Sequence, residues 1–221
     1  MRFVRFLAVW GGVALLLVMA STARSEDKQQ TATTALTQHG RTTKTMTNLE
    51  AAYQAEYGDR ARYLAFADKA DAEGYKQVAS MFRAIARAEE VHAANYAALL
   101  KGMGGATTLE MVTPGVASTR ENVQWAIDQE TKEKDTMYPA FITQARKDKN
   151  EDAARCFHYA MSAESEHFAV YQQAAHNLDD YKGGASIPFM ICPLCGKTVR
   201  SLGATVCPVC STPKDKFVEV R

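Results

Sequence analysis

Four long stretches of the chain carry large apolar residues throughout, and polar or glycine-rich breaks separate them. Stretches of this length and pattern are typical of helices that pack on a common core. In the first of them, Leu49, Tyr53, Tyr57, Leu64 and Phe66 form the apolar series. The pattern therefore predicts a mainly α-helical protein.

Local capping and breaking residues give the expected ends of the first two helices. Thr47 with Glu50 has the spacing of a capping box and predicts the start of the first helix, which runs to about Ala72. Gly74 predicts a tight break before a second helix over about 75–100, which a cluster of glycines ends.

The second pair of helices is read in the same way. Ser118 with Glu121 is another capping box, opening a helix to about residue 147, and Pro139 inside it should bend or bulge the helix. Asn150 is placed to cap a fourth helix that runs to about Asn177. Four long helices with short links inside each pair predict an antiparallel four-helix bundle over residues 45–178.

The segments before the bundle have a different composition. Basic residues, an apolar run over 6–20 and small residues at 21–23 predict a secretory signal peptide over 1–23, with an uncleaved membrane anchor as the alternative. Residues 24–44 are polar and are expected to form a flexible tether. We therefore expect an exported, periplasmic protein with no membrane attachment after cleavage.

Composition and charge narrow the function only by exclusion. The 221 residues carry a formal net charge of +1 and are 47% hydrophobic, as in an ordinary globular protein. There is no basic stripe with interleaved aromatic residues, so we expect no nucleic-acid partner.

Metal-ligand chemistry is concentrated in three motifs: Glu89-x-x-His92, Glu130-x-x-Glu133 and Glu164-x-x-His167. On a helix, side chains three positions apart lie on the same side, roughly 60° apart around the axis. Each motif therefore directs two side chains to one point. Carboxylate oxygen mixed with imidazole nitrogen suits iron or manganese.

The motifs fall in register with further residues, as if a helical hairpin had been duplicated. Glu56 precedes Glu89 by 33 residues and Glu130 precedes Glu164 by 34. A carboxylate from each of two helices and Glu-x-x-His from the other two is the pattern of ferritin-like di-iron bundles. Seven residues are candidate ligands of a di-metal site: Glu56, Glu89, His92, Glu130, Glu133, Glu164 and His167.

Other residues of the same types are expected to be bystanders, because most helix-surface glutamates are solvated. Glu90 and Glu166 lie off the paired face and are expected to face solvent. We expect His39, His158 and His176 to be surface or packing residues, and Cys156 to be a small buried side chain.

The last part of the chain forms a second, small module over residues 189–221, after a linker over 179–188. Cys192, Cys195, Cys207 and Cys210 form two Cys-Pro-x-Cys pairs, a spacing that suits a tetrahedral site for iron or zinc. Two disulfides are the alternative for an exported protein.

Together these motifs resemble the rubrerythrin family over about residues 46–221. The resemblance rests on the following residues: Glu56, Arg62-Tyr63, Ala88-Glu89-x-x-His92-Ala93, Glu130-x-x-Glu133, Met137-Tyr138-Pro139, Glu164-x-x-His167, the two cysteine pairs and Pro213-Lys214-x-x-Phe217. It implies a ferritin-like bundle with two non-haem iron ions and a rubredoxin-like domain with one iron, where zinc is the alternative. It also implies reduction of hydrogen peroxide and protection against oxidative stress.

The resemblance also implies roles for single residues. Glu89 and Glu164 would bridge the irons, Glu56 and Glu130 would be terminal ligands, and His167 would bind one iron. The other iron is expected to exchange His92 for Glu133 with redox state, so His92→Ala should keep the fold and most of the metal but slow turnover. Tyr63 and Tyr138 would donate hydrogen bonds to the carboxylates.

Two features depart from the family pattern. Ser211 replaces the glycine usual after the second cysteine pair, at a position that tends to need positive φ. Export would place cytoplasmic nicotinamide-linked reductases out of reach, so an exported electron donor, not identified by the sequence, is expected.

The predicted function is a di-iron peroxidase that receives electrons from the four-cysteine iron centre. Because the linker is short, the resemblance to the family suggests delivery to the partner subunit of a head-to-tail homodimer. The alternatives are a ferroxidase that stores iron and a non-catalytic redox or metal sensor.

Overall fold

The computed structural model describes residues 43–110 and 113–221. The expected signal peptide over 1–23 and nearly all of the expected tether, including His39, lie outside these residues, and both stay predictions. Within the described part of the chain, no helix is both long enough and apolar enough to cross a membrane.

The first helical hairpin consists of α1 (Lys44–Ala72) and α2 (Lys76–Met103). The helix starts earlier than the expected capping box, because Thr43 is the N-cap and its hydroxyl accepts from the Met46 N–H. The break at Gly74 is confirmed by its φ of 86°, a left-handed conformation that glycine adopts without strain.

The third helix is interrupted where the proline predicted a distortion. It comprises α3 (Thr119–Lys132), a π-helical segment (Glu133–Met137) and α4 (Tyr138–Lys147). Its start is confirmed as a capping box, in which Ser118 and Glu121 satisfy each other's backbone N–H groups. A π segment inserts one extra residue into a helix, and such insertions are frequent at functional sites.

The fourth helix, α5 (Glu151–His176), begins at Asn150, whose side chain accepts from the Ala153 N–H as expected. Together the helices enclose two apolar clusters. One contains Phe66 and Phe82, the other Leu49 and Phe157, and all four are buried. The predicted apolar position Leu64 is an exception, because it is 38% exposed.

The C-terminal module is a small antiparallel sheet around the cysteines. Its strands are β1 (Phe189–Ile191), β2 (Thr198–Val199) and β3 (Val218–Val220), in the order β2-β1-β3. Phe189 and Ile191 extend the apolar cluster of the bundle that contains Phe82. The module is therefore packed against the helices of its own chain.

Candidate metal centres

Six of the seven candidate ligands meet inside the bundle as predicted, and they form two overlapping groups of four side chains. One group is Glu56, Glu89, His92 and Glu164, and the other is Glu89, Glu130, Glu164 and His167. In each group the ligand atoms lie within 4.8 Å of one another, and every residue is buried. Glu89 and Glu164 belong to both groups, which is the position that bridging carboxylates occupy. We call these six residues the cage.

The cage leaves polar atoms that only a further group can satisfy. Buried charged atoms that lack a partner cost several kcal/mol each in a protein interior, so native proteins rarely retain them. Among the described residues, five cage atoms have no hydrogen-bond partner of acceptable geometry: Glu56 Oε2, Glu89 Oε2, His92 Nδ1, Glu130 Oε2 and Glu164 Oε1. Four carboxylates and two imidazoles directed at one space fit two metal ions.

The pKa values of the cage carboxylates also indicate that the cage favours a bound positive charge. Burial raises the pKa of Glu56 and of Glu130 well above the usual range, because neither carboxylate is exposed to water. Burial also acts to raise the pKa of Glu164, but the neighbouring His92 and His167 outweigh it and hold the value at about 2. Metal cations at the cage would favour the charged form of all these carboxylates.

Both histidines present the same ring nitrogen to the cage. Nδ1 of His92 lies 2.9 Å from Glu89 Oε2, and Nδ1 of His167 lies 2.7 Å from Glu164 Oε2. Nε2 of His92 contacts the carbonyl oxygen of Cys195 at 3.2 Å. Because a carbonyl can only accept, Nε2 carries the proton, which leaves the lone pair of the neutral ring on Nδ1 for a metal.

Tyrosines support the carboxylates from both sides of the cage. The Tyr63 hydroxyl donates to Glu130 Oε1 at 2.6 Å, and the Tyr138 hydroxyl donates to Glu56 Oε1. These are the hydrogen bonds that the resemblance implied. The sequence reading missed that Tyr96 and Tyr171 are also fully buried, one in each of the two apolar clusters.

The spacing of Tyr96 and Tyr171 from the cage glutamates is the sequence feature that could have predicted their position. Tyr96 follows Glu89 by seven residues, and Tyr171 follows Glu164 by seven, as Tyr63 follows Glu56. Tyr138 follows Glu130 by eight because the π segment between them inserts one residue. Each of the four long helices, counting α3 and α4 as one interrupted helix, therefore carries one glutamate of the cage followed by one buried tyrosine.

Glu133 is the one predicted ligand that the structure places outside the cage. Its side chain is buried but belongs to neither four-residue group. It lies beside Asp59, which the sequence reading did not single out although it follows Glu56 by three residues and so repeats the ligand-motif spacing. Burial, reinforced by the charge on Glu89, raises the pKa of Asp59 to about 7.

The four cysteines converge as predicted. Sγ of Cys192 lies 3.4 Å from that of Cys210, and Sγ of Cys195 lies 3.6 Å from that of Cys207. Four sulfurs around one metal at about 2.3 Å are separated by roughly 3.8 Å, whereas a disulfide is about 2.05 Å long. The sulfurs are free thiols, so the disulfide alternative is not supported.

The surroundings of Cys192 favour its thiolate form. Hydrogen bonds from the Cys195 thiol, and then from backbone N–H groups, lower the pKa of Cys192 to about 4. The same backbone turn occurs in each pair, with Gly196 donating to the Cys192 carbonyl and Ser211 donating to the Cys207 carbonyl. The expected positive φ at Ser211 is confirmed, at 63°.

The module sits directly on the cage histidines of its own chain. Besides the bond from His92 to the Cys195 carbonyl, Nε2 of His167 contacts the Thr198 hydroxyl at 3.2 Å. Asn95 donates to the Leu194 carbonyl at 2.8 Å. The linker thus reaches the chain's own bundle, although its shortness had suggested delivery to a partner.

The histidines, the glutamate and the cysteine expected to lie outside the metal sites differ in their surroundings. His158 and His176 are exposed, as predicted. Glu166 is not simply solvated, because it forms an ion pair with Lys197 of the module. Cys156 is half-buried rather than buried.

A ferritin-like bundle around a di-metal cage, joined to a rubredoxin-like four-cysteine module, defines a class of two-centre non-haem iron oxidoreductases. The family model for rubrerythrin matches residues 47–175, which is more than half of the chain. The chain belongs to the rubrerythrin family.

Two curated relatives match over most of the chain. Rubrerythrin-2 of Clostridium acetobutylicum is 33% identical over 76% of this chain and 92% of its own length. Nigerythrin of Nitratidesulfovibrio vulgaris is 35% identical over 78% of this chain and 85% of its own length. Each match spans more residues than the four-helix bundle contains.

A solved structure of nigerythrin, described as its fully reduced, all-ferrous state, is similar in fold. It aligns with a TM-score of 0.73 at 34% identity, covering 81% of this chain and 88% of the nigerythrin chain. Family membership and the ligand set together assign two iron ions to the cage, and iron is the metal consistent with these relatives at the four cysteines.

Proposed function

We propose that this protein reduces hydrogen peroxide at the di-iron cage, with electrons supplied by the four-cysteine centre. The observation that supports the proposal is the position of the His92 ring. It donates through Nε2 to the Cys195 carbonyl and turns Nδ1 toward Glu89 in the cage. One side chain therefore links a backbone group of the four-cysteine site to a candidate iron ligand.

The chain's own residues provide the setting for this chemistry. Reduction of one peroxide molecule to two water molecules consumes two electrons and two protons. Two ferrous ions, when bound, supply one electron each and polarise the O–O bond as Lewis acids. Glu89 and Glu164 would each contribute to both metal positions, while Tyr63 and Tyr138 fix the orientation of Glu130 and Glu56. All six cage residues are buried, which keeps bulk water away from the metal positions.

Iron storage shares the cage but does not explain the module. A ferroxidase needs no second redox centre, yet here the module contacts both cage histidines. A non-catalytic sensor with zinc at the four cysteines is the remaining alternative. Metal content with visible and EPR spectra of the purified protein tests that alternative directly.

The decisive experiment uses the full-length, iron-loaded protein after anaerobic reduction. Stopped-flow absorbance should show faster reoxidation with hydrogen peroxide than with dioxygen, and oxidation of the four-cysteine iron should follow that of the cage. Glu89→Gln is the matched control, because it removes one bridging carboxylate and leaves the four-cysteine site intact. Reoxidation that is no faster with peroxide than with dioxygen would rule out the peroxidase.

Electron delivery within one chain is part of the proposal. The contacts between the module and the bundle come from residues of the same chain, so a monomer holds the complete path from Cys195 to the cage. A homodimer, an exported electron donor and a periplasmic location stay predictions.

A further inference from the structure

The Glu133 carboxylate lies outside the cage, in a position formed by Gln129 and Asp59 that we call the seat. The Gln129 amide donates to Glu133 Oε1 at 2.9 Å and to Asp59 Oδ2 at 3.2 Å. Glu133 is 2% exposed and Asp59 is 5% exposed, so these hydrogen bonds are formed away from bulk water. In such surroundings a lost donor leaves a carboxylate uncompensated, which costs more than the same loss at the surface.

A second glutamine on the same helix, Gln124, forms a glutamine–carboxylate hydrogen bond of the ordinary, solvent-exposed kind. Gln124 donates to Asp128 four residues later, at 3.0 Å, and both side chains are exposed. Gln129 and Glu133 have the same four-residue spacing, but Gln129 also reaches Asp59 on α1. Its amide therefore ties the Glu133 side chain to a second helix.

Neighbouring residues fix the far side of the seat. Nε of Arg62 lies 3.7 Å from Asp59 Oδ1, and the Arg62 guanidinium lies over the Trp125 ring at 5.1 Å. Cation–π contact and the ion pair both restrict the arginine, and the arginine restricts Asp59. The acceptor that orients Gln129 is thus itself held in place.

The backbone of Glu133 is part of the hydrogen-bonded helix. Glu133 opens the π segment, and its carbonyl accepts from the Tyr138 N–H. The seat lies next to the cage along the same helix, because Glu133 follows the cage residue Glu130 by three positions and shares the Gln129 amide with Asp59. An exchange of Glu133 for His92 at the cage would therefore start from a carboxylate that Gln129 holds in the seat, on a hydrogen-bonded helical backbone.

We propose that Gln129 and Asp59 are positioning residues that hold the Glu133 carboxylate outside the cage and thereby favour His92 as the ligand of the adjacent metal. The proposal rests on the proposed function only in so far as the cage binds two metal ions. It does not depend on peroxide being the oxidant.

Crystal structures of the zinc-loaded full-length protein test this without any redox step. In Gln129→Leu and Gln129→Met, which lack the amide donor but differ in shape, Glu133 should bind zinc and displace His92. The parent protein and the matched control Gln124→Leu should keep Glu133 in its seat. Using two variants guards against one of them failing to fold.

The reduction potential of the iron-loaded cage gives a second readout, which a purely structural role would not move. Because a carboxylate in place of a neutral imidazole favours the ferric state, the ferric-to-ferrous affinity ratio should rise by about tenfold, or about 59 mV toward lower potential for a one-electron couple. Asp59→Ala should shift it in the same direction by less.

Two results would overturn the proposal. One is Glu133 already bound to zinc in the parent protein. The other is Glu133 still in its seat, with an unchanged potential, in the folded Gln129 variants. Either result can be told apart from failure of the peroxidase proposal, because neither measurement uses peroxide.

Discussion

At the scale of single residues, two positions in the four-cysteine module adopt left-handed backbone conformations but carry different residue types. Gly196 has φ of 73° and Ser211 has φ of 63°, at equivalent places in the two cysteine turns. A residue with a Cβ atom pays roughly 1–2 kcal/mol for this conformation. The chain has glycine at one of the turns and tolerates strain at the other.

Ser211→Gly is therefore expected to stabilise the protein by about 1 kcal/mol. The gain should appear as a higher midpoint in thermal unfolding of the metal-loaded protein. Ser201→Gly is the matched control, since Ser201 lies in the same module outside the left-handed region. If both substitutions lower the midpoint equally, backbone strain at Ser211 does not contribute.

Gly196 has a second reason to be glycine, which concerns the contact with the cage. A Cβ atom at this position would overlap Nε2 of His92. Gly196→Ala should therefore push the module off the histidine and slow electron transfer from the four-cysteine iron to the cage. The spectrum of the four-cysteine iron should be preserved, because the sulfurs themselves are untouched.

Rapid-mixing measurement of oxidation of the four-cysteine iron, after addition of peroxide to the reduced protein, checks this. Gly203→Ala is the control, because a Cβ atom there meets nothing within 4 Å. Equal rates in both variants would show that close approach of Gly196 to His92 is not needed for the transfer.

At the scale of secondary-structure elements, Glu73 joins the two hairpins of the bundle. Its carboxylate accepts from the backbone N–H of Thr119, the first residue of α3, at 2.9 Å and pairs with Lys69 at 2.9 Å. Hydrogen bonds from Thr119, and then Lys69, lower the pKa of Glu73 to about 2. The position of the carboxylate at the N-terminus of α3 also favours its charged form, because the helix dipole is positive at that end.

Because the folded pKa lies below the unfolded one, the contribution of Glu73 is fully present above pH 4.5 and is lost as the pH falls through about 2. Glu73→Gln should therefore destabilise the metal-free protein by about 1 kcal/mol at pH 7 and by little near pH 2. Urea unfolding at both pH values measures the difference. Glu219→Gln, which breaks an exposed ion pair with Arg221, should change little at either pH.

Helical spacing explains why so much of the cage was predictable. Residues three apart on a helix share a face whatever the tertiary structure, so Glu89 with His92 and Glu164 with His167 could be assigned from order alone. The capping box at Ser118 is equally local. Even the eight-residue interval from Glu130 to Tyr138 was visible, although its cause is the π segment.

Contacts between elements were not predictable in this way. The seat of Glu133 depends on Asp59 from another helix, and an aspartate followed by Arg60 and Arg62 looks like any solvated residue in the sequence. The N-cap at Thr43 was missed because Thr47 with Glu50 offers the stronger local pattern four residues later. Packing of the whole helix, which the sequence pattern does not describe, decides between the two.

At the scale of the whole molecule, the position of the module bears on the proposed route of the electrons. Lys197 of the module pairs with Glu166 on α5, and Asn95 on α2 donates to the Leu194 carbonyl. Buried apolar residues of β1 add to these polar contacts. The interface is formed within one chain, whereas the short linker had suggested a partner subunit.

Mixing two defective proteins distinguishes the two routes. One variant, Glu89→Gln, lacks a bridging carboxylate of the cage, and the other, Cys192→Ser, lacks one ligand of the four-cysteine site. Each should be unable to couple oxidation of the four-cysteine iron to peroxide. If delivery runs within one chain, a mixture unfolded and refolded together should stay inactive, because no chain holds both intact centres.

Delivery across subunits predicts the opposite result. A refolded mixed dimer would then contain one intact module facing one intact cage, and part of the peroxide-dependent activity would return. Refolded parent protein is the control for recovery of both centres. Restored activity would show that the interface seen here within one chain forms between two chains in solution, with His92 of one subunit contacting the partner's four-cysteine module.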